Sequence, residues 1–108
     1  VSDAMATAGS NIDCFTLNSR KIHRNGNRLT LSDGTLAGAH LELATAVRNL
    51  VETCGTSLEA TVAMATRVPA DLIGAPHVGN FTKGGQADVL HLTEALQIDM
   101  VWQGGNLV

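Results

Sequence analysis

A chain of 108 residues is long enough for one domain with its own core. Its 44% hydrophobic and 16% charged residues mark it as globular, too apolar for a disordered tail. Three aromatic residues (Phe15, Phe81 and Trp102) and a formal charge of −3 offer few stacking platforms and no attraction for phosphate backbones, so nucleic-acid binding is not expected. No apolar run approaches the roughly 18 residues needed to span a bilayer. Cys14 and Cys54 match no metal-ligand spacing, and with no export signal a reduced pair in the cytoplasm is expected.

In chain order, Val1-Ser2-Asp3-Ala4 comes first, a short apolar stub ending in an acid. Such a stub reads as the carboxyl end of a buried strand, the end that carries catalytic groups in barrels of alternating strands and helices. The chain starts without methionine, in mid-strand by this reading, and is expected to be the tail of a larger enzyme. Cys14–Leu17, Lys21–His23 and Arg28–Leu31 have strand character. Asn25-Gly26 is a hairpin signal between the last two, since both residues tolerate positive φ. Ser32-Asp33-Gly34 predicts a turn. Leu43, Val47, Leu50, Val51 and Cys54 recur at three- and four-residue steps and predict a helix, with Gly55 as its stop. Thr56 and Glu59 have capping-box spacing for a second helix carrying Leu58, Val62, Ala63 and Ala65. Pro69 suits the first turn of a third helix that ends at Gly74. From about Gly79 the period changes, and Ala87–Leu92, Ile98–Trp102 and Asn106–Val108 read as strands, with Gly104-Gly105 a turn.

Two segments could carry chemistry. Asp3 is followed by the small, flexible run 4–9, which gives a ligand room to approach. Asp33-Gly34-Thr35-Leu36-Ala37-Gly38 reads on local physics as a turn plus helix start. The other reading is that Leu36 to Gly38 present backbone N–H and C=O groups to a ligand. His23, His40, His77 and His91 are scattered, with no His-x-His or His-x-x-x-His spacing, and read as structural or solvent-facing. Gly84-Gly85 lacks the strand–loop–helix setting of a phosphate loop and reads as a hairpin turn.

Taken together, VSDA at 1–4, AGSNID at 8–13, DGTLAG at 33–38, AVRNLVETCG at 46–55, AMATRVPADLIG at 63–74, GGQADVLHL and the closing WQGGNLV resemble the C-terminal portion of the N-acetylglucosamine-6-phosphate deacetylase family. That family belongs to the metal-dependent amidohydrolase superfamily, and the likeness runs over essentially the whole chain. The resemblance implies an α/β fold, the C-terminal end of a (β/α)8 TIM-type barrel with a β-hairpin insertion and strands of an accessory β-sandwich. Residues 1–75 would be the barrel end and residues 76–108 the sandwich strands.

By the same resemblance Asp3 matches the general acid/base, taking a proton from the attacking water and giving it to the departing amine. Leu36, Ala37 and Gly38 match a loop whose backbone contacts the sugar. The implied cofactor is a divalent metal, zinc or iron. Its glutamate and histidine ligands come from earlier strands, so no metal ligand is assigned here, and the chain alone is expected to be inactive. The implied substrate is an amino-sugar phosphate, hydrolysed to glucosamine 6-phosphate and acetate, and the implied location is the cytoplasm. Neither nucleic acid nor membrane is expected as a partner, whereas self-association or association with the rest of a longer chain is. Two other readings stand beside this one: a non-enzymatic structural or binding module, and an amidohydrolase for another N-acyl substrate.

Overall fold

The computed structural model describes residues 2–108. The chain divides into two compact units, Val1–Ala46 and Val47–Val108.

The first unit is built on an antiparallel meander, β1 (Cys14–Leu17), β2 (Arg20–Asn25), β3 (Arg28–Leu31) and β4 (Leu36–Ala39), paired in sequence order. Alternation sets which face is covered. Along β2 the inward positions are Ile22, 3% exposed, and Arg24, while Lys21, His23 and Asn25 face solvent. Leu29 of β3, 1% exposed, completes this small core. The β2–β3 hairpin closes through Gly26 and Asn27, with Asn25 paired to Arg28, so the turn lies one residue later than Asn25-Gly26 predicts. Gly26 takes φ +60°, which glycine adopts without a Cβ penalty. The Ser32–Gly34 turn forms as expected, with the Gly34 N–H donating to the Leu31 carbonyl at 3.0 Å.

In the second unit, helix α1 (Leu43–Glu52), which begins before the division, is followed by α2 (Leu58–Ala65) and α3 (Arg67–Leu72). Val47 is the buried residue of α1, and Gly55 at φ +67° ends it, with the Thr56 N–H returning to the Leu50 carbonyl at 3.1 Å. The cap of α2 is Ser57, not Thr56: its hydroxyl accepts from the Ala60 N–H at 3.2 Å. Glu59 therefore sits inside the first turn, where it complements the helix dipole and closes no capping box. Pro69 falls in the first turn of α3, and Gly74 follows its end at φ +70°. Gly84-Gly85 makes a local turn within the irregular stretch before the last sheet, not a hairpin. That sheet is β5 (Val89–Leu92), β6 (Ile98–Gln103) and β7 (Asn106–Leu107), again antiparallel in sequence order. Its Gly104-Gly105 turn is tied back by the Gly105 N–H on the Ala87 carbonyl and the Gly104 N–H on Asp88 Oδ1, both at 2.8 Å.

This topology overturns the expected α/β barrel end. A terminal piece of a (β/α)8 barrel would show parallel strands connected through helices. Every ladder here is antiparallel and joins sequence neighbours, and the one parallel pairing among the described residues is a single bridge, Ala4 to Ala39. Ser2, Asp3 and Ala4 form no strand, and Val1 of the stub lies outside the described residues. The helices α1–α3 and the strands β1–β3 and β5–β7 are legible locally, whereas β4 is not. The stub and the resemblance imply the barrel, and the strand pairing decides against it.

Candidate functional site

The two segments singled out from the sequence meet in the first unit. β4 has β3 on one edge, with Thr30 opposite Leu36, Arg28 opposite Ala39 and a register shift between them. On its other edge lies the stretch 3–5. The Ala39 N–H donates to the Asp3 carbonyl at 2.9 Å, and the Met5 N–H donates to the Ala39 carbonyl at 3.0 Å. Asp3 and the end of DGTLAG, more than thirty residues apart in sequence, are thus backbone neighbours.

Asp3 is exposed and takes φ +53°, the left-handed region that non-glycine residues seldom occupy. Its carboxylate makes no hydrogen bond or ion pair among the described residues, so both oxygens are available. Leu36 is 64% exposed, and Ala37 and Gly38 are half-buried. They form a strand, not the loop running into a helix that the sequence suggested, because β3 supplies a ladder partner that local propensity cannot reveal. Gly38 adopts φ +76°, and its open side is not free: a Cβ there would overlap Met5 Cγ and lie 2.9 Å from its sulfur.

Asp33 closes the β3–β4 turn. Its Oδ1 accepts from the Thr35 N–H at 2.9 Å, and that backbone bond, helped by the Thr35 hydroxyl, holds the carboxyl below the ordinary aspartate value. Asp33 therefore serves the turn.

A second cluster escaped the sequence reading. The Arg24 guanidinium reaches the Ser10 carbonyl at 3.2 Å, His40 Nε2 at 3.3 Å and Asp13 Oδ1 at 3.1 Å. The Arg24 N–H also donates to the Asp13 carbonyl at 2.8 Å. Arginine can only donate, so Nε2 of His40 is the acceptor and the ring proton sits on Nδ1. That Nδ1 is buried with no partner among the described residues. A sequence signal existed: Arg24 lies two residues beyond Ile22 on the inward face, where a cation must find acceptors. This network ties the chain that follows Asp3 to β2 and to the residue after Ala39.

The other histidines stay apart from this cluster in their bonding. His23 is exposed opposite Cys14 and Thr30, and His77 is exposed in a turn. In the second unit His91 Nδ1 pairs with Asp99 Oδ2 at 2.8 Å across an exposed hairpin. Both cysteines are free and exposed. Among the described residues no helix is long and apolar enough to cross a membrane.

The free carboxylate of Asp3 stands beside a strand edge, at the end of a short antiparallel meander. The amidohydrolase family matches residues 5–108, and the chain belongs to it. Within that family it is similar to the N-acetylgalactosamine-6-phosphate deacetylase of Shewanella sp. (strain ANA-3), 37% identical over 108 residues that cover 100% of this chain and 27% of that protein. Among solved structures it is similar to the N-acetylglucosamine-6-phosphate deacetylase of Pasteurella multocida, with 29% identity and a TM-score of 0.95 over 100% of this chain and 29% of that one. The Thermotoga maritima deacetylase of the same description gives 27% identity and a TM-score of 0.88, over 99% of this chain and 30% of that one. The chain thus spans under a third of each of these relatives. Amidohydrolases are generally metal-dependent. Among the described residues, however, no group of three or more His, Cys, Asp or Glu side chains is placed to hold a metal ion. These residues do not make a metal site, and the chemistry derived from them passes through none.

Proposed function

We propose that this chain is part of a deacetylase that hydrolyses the acetamide of an N-acetylhexosamine 6-phosphate, releasing acetate and the free amino sugar phosphate. The observation that carries the reading is the junction of Asp3 with Ala39: an unpartnered carboxylate anchored through its own carbonyl to the end of the Leu36–Ala39 strand. Asp3 takes a proton from the water that attacks the acetamide carbonyl. As the C–N bond breaks, the same proton passes to the nitrogen, which leaves as an amine, while the acyl carbon leaves as acetate. One carboxylate serves both steps, and such proton transfer contributes typically ~10²–10⁴-fold. Leu36, Ala37 and Gly38 contact the sugar through their backbone. A divalent cation, zinc or iron, belongs to this reading with its ligands outside the described residues, and the cytoplasm is the compartment it implies.

N-acetylglucosamine 6-phosphate is the substrate that the sequence motifs suggest. The C4 epimer, N-acetylgalactosamine 6-phosphate, is a second reading, favoured by the 37% identity to the Shewanella protein of that description against 29% for the Pasteurella one. The test is acetate release from both sugar phosphates by the intact enzyme and by its Asp3→Asn variant. The expected result is a kcat lowered by roughly 10²–10⁴-fold with KM nearly unchanged, because the amide keeps the shape and loses the proton. A kcat within threefold of the parent would remove Asp3 from the acid/base role, and the sugar with the higher kcat/KM decides between the epimers.

A further inference from the structure

Asp3 holds a left-handed backbone conformation, uncommon for a residue with a Cβ though one that aspartate tolerates better than most. Two hydrogen bonds to Ala39, one on each side of Ala4, impose part of it. The side chain of Met5 packs at the same junction. Its Cγ and sulfur occupy the volume where any residue but glycine at position 38 would carry a Cβ, and the same point lies 3.3 Å from the Asp3 carbonyl oxygen. Gly38 thus leaves a notch, and Met5 fills it. An unbranched thioether suits an irregular notch of this kind. A side chain branched at Cβ would bring bulk too close to the strand. The bridge at Ala4 alone is a single pairing at a strand edge and would fray without this packing.

We propose that Met5 is a positioning residue: seated over Gly38, it holds the left-handed backbone at Asp3 and so fixes where the carboxylate is presented. This rests on the acid/base reading of Asp3. Displacement of a reacting group by about 1 Å costs on the order of a hundredfold in rate, so a looser Met5 lowers kcat before it touches KM.

The test uses the intact enzyme with Met5→Ala, Met5→Leu and, as a second way of emptying the notch, Gly38→Ala, whose new Cβ must evict the Met5 side chain. Amide hydrogen exchange at Ala39 and steady-state kinetics are read together. Met5→Ala and Gly38→Ala are expected to speed exchange at Ala39 by about tenfold or more while β1–β3 keep their protection. Both are expected to lower kcat roughly 10–100-fold, and Met5→Ala, which leaves the sugar-contacting strand unaltered, keeps KM within about twofold. The pH–rate profile should keep its shape, since Asp3 is still the titrating group, and Met5→Leu should restore most of both effects. Unchanged exchange at Ala39, or loss of protection spread through β1–β4, overturns the proposal whatever the rate does. Local loosening with kcat within twofold, in an enzyme that Asp3→Asn inactivates, overturns it too. Local loosening in an enzyme whose Asp3→Asn variant stays active supports the Met5 clamp and removes the catalytic reading instead.

Discussion

Thr61 offers a direct measure of what a buried, unpartnered hydroxyl costs this protein. It lies in α2 with 1% of its surface exposed, and its Oγ1 has no hydrogen-bond partner among the described residues. A threonine in or at the end of a helix can satisfy its hydroxyl on the carbonyl four residues back, as Thr66, the residue capping the end of α2, does on Val62 at 2.7 Å. Thr61 does not. An unsatisfied buried hydroxyl costs about 1–3 kcal/mol. Thr61→Val removes it and keeps the branched shape, with nearly equal helix propensity. A gain of about 1–2 kcal/mol is expected, or several degrees in Tm at about 4–8 °C per kcal/mol for a unit of this size. Trp102, the chain's one tryptophan, lies in the same unit and reports its urea unfolding by fluorescence. The midpoint should rise with the slope unchanged. Thr61→Ser, which keeps the hydroxyl and deletes the methyl, should fall by about 0.8 kcal/mol. A Thr61→Val midpoint at or below the parent would mean that the hydroxyl has a partner in the folded protein, and the reasoning would fail.

Two further expectations concern the first unit. Arg24→Met should cost about 1–3 kcal/mol, through the lost bonds to Ser10 and His40. Asp13→Asn should cost less than about 1 kcal/mol, because that carboxylate is 80% exposed; equal losses in thermal melts of the two variants would contradict this division. Asp33 carries a depressed pKa, so its contribution to the 32–35 turn is full above the unfolded aspartate value and is lost as pH falls through the folded one. The Thr35 amide shift should follow that titration by NMR, with a midpoint below that of an unstructured aspartate; a midpoint at or above it would show that the Thr35 bond does not hold the charge.

What could be read from the residues was local. Asn25-Gly26 announced the hairpin, and glycine's freedom at φ +60° moved the turn by one position. Thr56 and Glu59 have the spacing of a capping box, yet Ser57 is also a capping residue, and spacing alone cannot choose between adjacent hydroxyls. Leu-Ala-Gly-Ala lacks the β-branched residues of a strand, so β4 became visible only through its pairing with β3. Asp3 and Gly38 were each legible as candidates. Their contact through Met5, and the grasp of Arg24 on Ser10, Asp13 and His40, depend on pairings distant in sequence that leave no period to detect.

The Ala4–Ala39 bridge also dictates an order of events. Each strand of β1–β4 pairs with its neighbour across a short turn, so the meander forms from local contacts, which are the quick ones. Before that, bringing Ala4 to Ala39 would close a loop of some 35 residues. Afterwards only the ten or so residues between Ala4 and Cys14 need settle, which lowers the closure entropy by about 1 kcal/mol. The Asp3 junction is therefore assembled last, on a finished scaffold, and opens first when the chain breathes. The acid is in place only in chains whose sheet is already complete.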